Sequence, residues 1–373
     1  MRIAFIGQKG IPALSGGVEK HVENVAVRMA QAGHDVFVYV RSHYVDVSMK
    51  EYQGVTLVHV PSIQTKNLDA ITHTFCATIH ALFQGYDVIH YQSVGPTTLS
   101  FIPMVLMWKT KIIATFHCQD HFHKKWGWFA KMYLKFGEYV TCSVPDKTIV
   151  VSEGLQEYAL QKYGRKAELI PNGAVIESGI GSDALAQFGI KEKRYVLSVG
   201  RLVKHKGVHY LINAFGQLED TNKIPNNFKL VIVGKHSETK EYEEYLKVMS
   251  HNRTNVIFLG EQTGRTLKQL FANAYLFVQP SESEGMSIAL LEAMGYGLAT
   301  VVSDIEPNKE VVADTGIVFE NKNVDDLRDK LAYALNCPES EIKAYGHSAQ
   351  TRILKQYSWD AIAKKTVKLY QSL

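Results

Sequence analysis

The sequence predicts an α/β protein of two doubly wound, Rossmann-like lobes with parallel sheets. Three observations carry that expectation. The chain has 373 residues, enough for two domains at about 150 residues each. Hydrophobic residues make up 46% and charged residues 21%, which suits a globular protein with ample core and excludes disordered and collagen-like chains. Short apolar runs alternate with longer amphipathic stretches nearly from end to end, the β-α-β rhythm of a parallel sheet.

In the first lobe, strand-like runs fall at 2–7, 35–40, 55–60, 87–90, 111–116, 147–151 and 168–170, with helix-like stretches at 17–31, 67–83 and 154–162 between them. Pro171-Asn172-Gly173 is a turn-forming cluster that breaks the rhythm. The boundaries expected are a first lobe over 1–173, a linker with a short helix over 174–193, and a second lobe over 194–358. Strand candidates in the second lobe are 195–199, 229–233, 256–259, 276–279 and 299–302. The amphipathic stretch 359–373 has no strand after it and is expected to pack back on the first lobe.

The cysteines, Cys76, Cys118, Cys142 and Cys337, are far apart and form no C-x-x-C pair, as in a reduced, cytoplasmic protein. Met1-Arg2 leads straight into a short strand rather than into a signal peptide. The longest apolar run, 99–108, is interrupted by Pro103 and ends at Lys109, too short for about 30 Å of hydrocarbon.

Lys and Arg number 41 against 37 Asp and Glu, a net charge of +4, too small an excess to suggest nucleic acid. Its distribution is uneven: 17 basic against 13 acidic residues over 1–170, and 24 against 24 beyond. Lys109, Lys111, Lys124, Lys125, Lys131 and Lys135 are interleaved with Trp108, Trp126, Trp128, Phe129 and Tyr133. A patch centred on Lys124, Lys125, Trp126, Trp128 and Lys131 suits the interface of an anionic membrane. It equally suits a solvated helix with part of its aromatic face in the core.

Two such lobes place a ligand cleft between them, at the carboxyl ends of the strands, so the chemistry belongs in the loops after strands. The first such loop lacks both G-x-G-x-x-G and the P-loop pattern, but Gly16-Gly17 opens a helix whose N–H groups favour a phosphate or sugar oxygen. In the second lobe, Gly200-Arg201 leads to Lys206-Gly207 before the next helix. A guanidinium fork with a point charge suits a diphosphate. Next comes Ser281-Glu282-Ser283-Glu284-Gly285-Met286-Ser287, with Glu292 two turns later among Ile288, Leu290, Leu291 and Met294. A carboxylate among apolar neighbours needs hydrogen-bond donors, and sugar hydroxyls supply them. His117 ends the strand 111–116. A metal site from His117, Cys118, His121 and His123 fits no common structural zinc spacing, and a single strand-end histidine facing the cleft is the better reading. No metal and no cofactor are expected.

Glu284 and Glu292 form an E-x7-E motif. Together with Gly16-Gly17, His117, Asn172-Gly173, Gly200-Arg201, Lys206-Gly207, Glu292-Ala293-Met294 and Ser303-Asp304-Ile305, it resembles the retaining glycosyltransferases of family 4, of GT-B fold. The resemblance spans essentially the whole chain. Gly7-Gln8-Lys9-Gly10-Ile11-Pro12 and Lys125-Trp126-Gly127 are similar, more narrowly, to bacterial rhamnosyltransferase-type enzymes of surface-polysaccharide assembly, with departures at Ser15 and Cys118-Gln119-Asp120.

The resemblance implies a nucleotide-diphosphate sugar as donor and a glycan or lipid-linked glycan as acceptor, at the inner face of the membrane. It implies that Arg201 and Lys206 clamp the diphosphate, with amides at Gly16, Gly17, Met286 and Ser287. Glu292 would hold the nucleotide ribose, Glu284 and Gly285–Ser287 the sugar hydroxyls, and His117 the donor sugar. A GT-B epimerase or phosphorylase and a two-lobed sugar-binding protein are the competing readings. A pyridoxal-dependent phosphorylase is far longer, and a binding protein would carry an export signal.

Overall fold

The computed structural model describes residues 1–14, 16–65, 68–119, 128–236 and 240–373. The chain divides into two compact units, Met1–Gly173 with Trp359–Leu373, and Ala174–Ser358.

The first unit is an α/β layer structure. Its elements run β1 (Arg2–Ile6), α1 (Gly17–Gln31), β2 (Asp35–Arg41), β3 (Glu51–Tyr52), β4 (Val55–Val60), α2 (Asp69–Ala81), β5 (Val88–Gln92), α3 (Val94–Thr97), α4 (Phe101–Leu106), β6 (Lys111–Phe116), α5 (Trp128–Ser143), β7 (Lys147–Val150), α6 (Glu153–Tyr163) and β8 (Glu168–Leu169). The sheet order is β3-β4-β2-β1-β5-β6-β7-β8, parallel except for the antiparallel β3–β4 pair. Ile3, Ala4, Phe5 and Ile6 on β1 are fully buried, as a strand covered by helices on both faces must be. The sequence pattern finds the parallel strands to within two residues. It misses β3, whose two residues are too few to show a period, and the short helices α3 and α4.

In the second unit come β9 (Tyr195–Val199), α7 (Val208–Asp220), β10 (Lys229–Val233), α8 (Glu241–Met249), β11 (Val256–Phe258), α9 (Gly264–Asn273), β12 (Leu276–Gln279), α10 (Ile288–Gly295), β13 (Ala299–Ser303), α11 (Glu306–Val312), β14 (Ile317–Phe319), α12 (Val324–Asn336) and α13 (Glu339–Gln356). All strands are parallel, in the order β11-β10-β9-β12-β13-β14. The segment 174–193, read from sequence as a linker, is counted with this unit. Its single 3₁₀ stretch, Asp183–Phe188, is fastened to α9: Gln269 donates to Asp183 at 2.6 Å, and the Ala184 N–H donates to Gln269 at 2.8 Å.

The helix α14 (Trp359–Gln371) belongs to the first unit. Trp359 is buried in an edge-on contact with His21, ring centroids 5.7 Å apart, and Lys365 Nζ donates to the Leu169 carbonyl at 2.7 Å. Among the described residues no helix is long and apolar enough to cross a membrane.

Each sheet reverses its winding direction once, between β1 and β5 in the first unit and between β9 and β12 in the second. Ligands of open α/β sheets bind at the carboxyl ends of the strands flanking such a reversal. Those four strand ends carry Gly7, Gln92, Gly200 and Pro280.

Candidate active site

In the second unit the loops after β9 and β12 are joined. Gly207, which starts α7, has φ +67°, and a Cβ there would sit 1.9 Å from the Pro280 carbonyl oxygen, so only glycine permits the approach. The Glu282 N–H donates to the His205 carbonyl at 2.7 Å, which fastens one loop to the other.

A chain of buried hydrogen bonds underlies the second loop. Ser287 Oγ donates to Gln279 Oε1 at 2.6 Å, and Gln279 Nε2 to Asn308 Oδ1 at 2.7 Å. Asn308 Nδ2 reaches Ser303 Oγ at 3.0 Å, and Ser303 Oγ donates to the Ser281 carbonyl at 2.6 Å. Ser287 also caps α10, its hydroxyl accepting from the Leu290 N–H at 3.3 Å. Satisfied buried networks of this kind hold a loop in one conformation.

On that platform the structure brings Lys206 and Glu284 together. Lys206 Nζ lies 2.6 Å from Glu284 Oε1, which also accepts from Ser281 Oγ at 2.7 Å. Arg201 is exposed, and among the described residues it makes no ion pair. Glu292 stands half-buried on α10, whose Ile288, Leu290, Leu291 and Met294 are buried. Gly285, Met286 and Ser287 are buried immediately before that helix.

In the first unit Gly7 has φ +117°, and a Cβ there would lie 2.5 Å from the Gln92 carbonyl oxygen, so the β1 and β5 ends meet at a glycine. Gly16 precedes α1 without a side-chain cap. The buried Glu19 in the first turn accepts from the Lys9 N–H at 3.1 Å. The Gly16-Gly17 helix start, read as an anion cradle, therefore already carries a carboxylate that complements the helix dipole.

His117 is nearly buried, and its Nε2 lies 2.8 Å from Gln92 Oε1. The His21 ring meets it edge-on at 5.0 Å, and His21 Nδ1 lies 2.9 Å from Asn172 Oδ1. Fully enclosed His90 is 2.6 Å from the Tyr370 hydroxyl and 2.7 Å from Thr115 Oγ1. Loss of water holds all three imidazoles neutral. Burial brings His21 down to about 4, opposed by its bond to Asn172. Burial drives His90 and His117 well below the ordinary value, with neighbouring histidines adding to it.

Lys124, Lys125 and Trp126 of the sequence-derived patch lie outside the described residues, as do Ser15, Asp120, His121 and His123. Trp128 is 76% exposed at the start of α5, and Lys131 is half-buried. The helix turns Trp128, Met132, Phe136 and Tyr139 outward while Leu134 and Val140 face the core. The sequence reading did not single out Gln92, His21, Glu19 or the Ser281–Ser303–Asn308 network. None of them stands out in sequence, and Gln92 lies two residues past the strand run read at 87–90.

Residues 15–178 match the model of Glycosyltransferase Family 4, and residues 183–352 match that of glycosyl transferases group 1. The chain is 28% identical over 407 residues to an uncharacterized glycosyltransferase of Methanocaldococcus jannaschii, covering 100% of this chain and 98% of that one. It is 26% identical over 366 residues to phosphatidyl-myo-inositol mannosyltransferase of Mycolicibacterium smegmatis, covering 96% and 90% of the two chains. Its fold matches that of Anabaena HepE, solved in complex with UDP-glucose, with a TM-score of 0.80 at 19% identity over 100% of both chains. The chain is thus a glycosyltransferase of GT-B fold, built from a family 4 domain followed by a group 1 domain.

Proposed function

We propose that the protein is a retaining enzyme that moves a hexosyl group from a nucleotide-diphosphate sugar to a glycan or lipid-linked acceptor in surface-polysaccharide assembly. The observation that carries this reading is the pair of cations at the switch point of the second unit, Lys206 set against Glu284 and Arg201 exposed earlier in the Lys206 loop.

As the bond from anomeric carbon to phosphate breaks, negative charge grows on the leaving diphosphate, and preorganised cations there supply the largest stabilisation. Arg201 offers a fork and Lys206 a point charge. The Lys206 ammonium has three donors, so one can stay on Glu284 while another takes a phosphate oxygen. Backbone amides at Met286 and Ser287 complete the phosphate contacts within the second unit. Glu292 accepts from the ribose hydroxyls. Glu284 and the Gly285 backbone hold the sugar.

Glu284 and Glu292 come from one helix and its lead-in loop, which does not suit two carboxylates flanking the scissile bond. The acceptor hydroxyl instead attacks on the face from which the phosphate departs, and a phosphate oxygen takes its proton. The chemistry needs no resident metal, because Arg201 and Lys206 supply the positive charge.

Two features support a lipid-linked acceptor at an anionic membrane. The mycobacterial relative is a phosphatidyl-myo-inositol mannosyltransferase. The first unit exposes Phe101, Val105, Leu106 and Trp108 around α4, and Trp128, Met132 and Phe136 on α5, with Lys109 and Lys135 among them. Basic side chains with Trp suit a peripheral position at the inner leaflet.

Thermal-shift screening against UDP-, GDP-, dTDP- and ADP-sugars identifies the donor. NMR of the product's anomeric configuration then tests the mechanism, and an inverted product would overturn retention.

A further inference from the structure

We propose that a cavity beside α2 in the first unit seats the hydrocarbon chain of the acceptor lipid. The inference rests on the reading of a lipid-linked acceptor and adds to it a site for the lipid.

The cavity measures about 510 Å³ and lies between Pro61 and Ile63 after β4, Ile71, Phe75 and Cys76 on α2, and Leu99 between α3 and α4. Small-molecule sites run to about 300–1,000 Å³, so it has room for a ligand. Helix α2 packs against α3, and Pro61, Ile63 and Phe75 stand exposed at the mouth.

The two hydroxyls in the lining, Ser62 and Thr72, are already committed. Ser62 Oγ donates to Asp69 Oδ1 at 2.7 Å. Thr72 Oγ1 donates to the Leu68 carbonyl at 2.7 Å and accepts from the Ile63 N–H at 3.0 Å. A hydroxyl has one hydrogen to give, so neither offers a donor to a ligand. The described lining holds no charged side chain. A sugar or nucleotide there would lose its bonds to water without replacement, whereas a hydrocarbon gains with each buried methylene. The lining therefore selects a hydrocarbon.

Place in the sheet assigns that hydrocarbon to the acceptor rather than to a bystander lipid. Pro61 follows the end of β4, and β4, β2 and β1 are neighbours in the sheet. Strands lie about 4.8 Å apart, so the cavity mouth is about 10 Å along the carboxyl edge from β1 and the winding reversal. Ligands of open α/β sheets bind at such a reversal. A phosphate headgroup joined to a chain in the cavity reaches that edge. Cations stand along it: Arg41 ends β2, its guanidinium 2.6 Å from Asp69, and Lys9 is exposed after β1. In the other direction, exposed Phe75, Ile79 and Phe83 carry apolar surface down α2 away from the edge, which gives a longer chain its path.

The test uses the free thiol of Cys76, partly exposed in the cavity, with the partly exposed Cys337 of the second unit as reference. The full-length protein is treated with N-ethylmaleimide, and alkylation of each cysteine is followed by peptide mass spectrometry. Farnesyl phosphate should slow the reaction of Cys76 roughly tenfold at nine-tenths occupancy and leave Cys337 unchanged. Inorganic phosphate and phosphatidylglycerol vesicles should protect neither. Phe75→Ser and Ile63→Asp alter exposed side chains. Each should raise the half-protecting concentration of farnesyl phosphate roughly tenfold or more, the loss from two methylenes left unburied.

Cys76 that reacts equally fast with farnesyl phosphate present would overturn the proposal, and so would unchanged protection in both variants. Protection by phosphatidylglycerol alone would give the cavity to a bilayer lipid. Protection that rises with protein concentration and needs no ligand would give it to a second copy of the chain. If farnesyl phosphate protects Cys76 but, with the donor from the thermal-shift screen, only water-soluble glycans accept the sugar, it is instead the lipid-linked acceptor that fails.

Discussion

In the second unit Lys206 Nζ sits 2.6 Å from Glu284 Oε1, so the β9 and β12 loops are tied by an ion pair as well as by the Glu282–His205 backbone bond. Both side chains are mostly enclosed, 19% and 10% exposed, and the pair is therefore stiffer than a surface salt bridge. Lys206→Met and Glu284→Gln should each lower kcat/KM by roughly 10²-fold, the loss typical of one transition-state contact. The double variant should lose less than the product of the two, since contacting residues are not additive. Steady-state kinetics over the four proteins checks the coupling, and full additivity would separate the roles.

Arg201 is exposed. Arg201→Ala should leave the thermal midpoint nearly unchanged, within about 0.5 kcal/mol in stability, while turnover falls roughly 10²-fold or more. Near-normal turnover would remove Arg201 from the diphosphate site.

Asn308 touches no proposed substrate group, yet it links Gln279 on β12 to Ser303 on β13 inside the buried network. Asn308→Ala should cost about 1–3 kcal/mol, because partners are left unsatisfied. It should also weaken nucleotide binding by freeing the loop. Urea unfolding with calorimetric binding measures both, and unchanged affinity in a folded variant would show that the network does not set the loop.

The buried histidines give a pH signature. His21 titrates near 4 when folded because burial disfavours its charge, and His90 lies well below its ordinary value for the same reason. The unfolded chain binds more protons than the native one between about pH 4 and 6.5. Stability should therefore fall as pH drops through that window, by on the order of 3 kcal/mol for His21 alone. His21→Gln should flatten the dependence of the thermal midpoint on pH below 6.5.

Vesicles of anionic lipid should sediment the protein at low salt and release it at high salt, since surface charge is screened within a Debye length. Lys109→Glu combined with Lys135→Glu should abolish binding without loss of fold. Binding that persists in this variant would locate the contact elsewhere.

Much of this was legible in the sequence because the strands are buried on both faces and read as continuous apolar runs. Tyr195–Val199 and Lys111–Phe116 are found to the residue for that reason. The three-residue strand Ile317–Phe319 is not, since a run that short looks like any buried turn of chain. Lys206 and Glu284 were legible singly, from loop position and motif. Their contact was not, because it depends on how two loops 78 residues apart meet. His21 and Gln92 escaped for a similar reason: each lies inside an ordinary helix or strand pattern, and only tertiary pairing with Asn172 and His117 distinguishes them.

The docking of Trp359 and Tyr370 against His21 and His90 makes the first unit discontinuous in sequence. On the ribosome, residues 1–173 emerge first but cannot close their own core until residues 359–371 have been translated. Until then His21 and His90 lack the Trp359 and Tyr370 partners they have in the finished fold. A nascent chain held short of α14 has every residue of the second unit and an incomplete first one. Shortening the chain within α14 is therefore damage to the unit that starts at residue 1, and exchanging either unit between related enzymes requires cuts on both sides of residues 174–358.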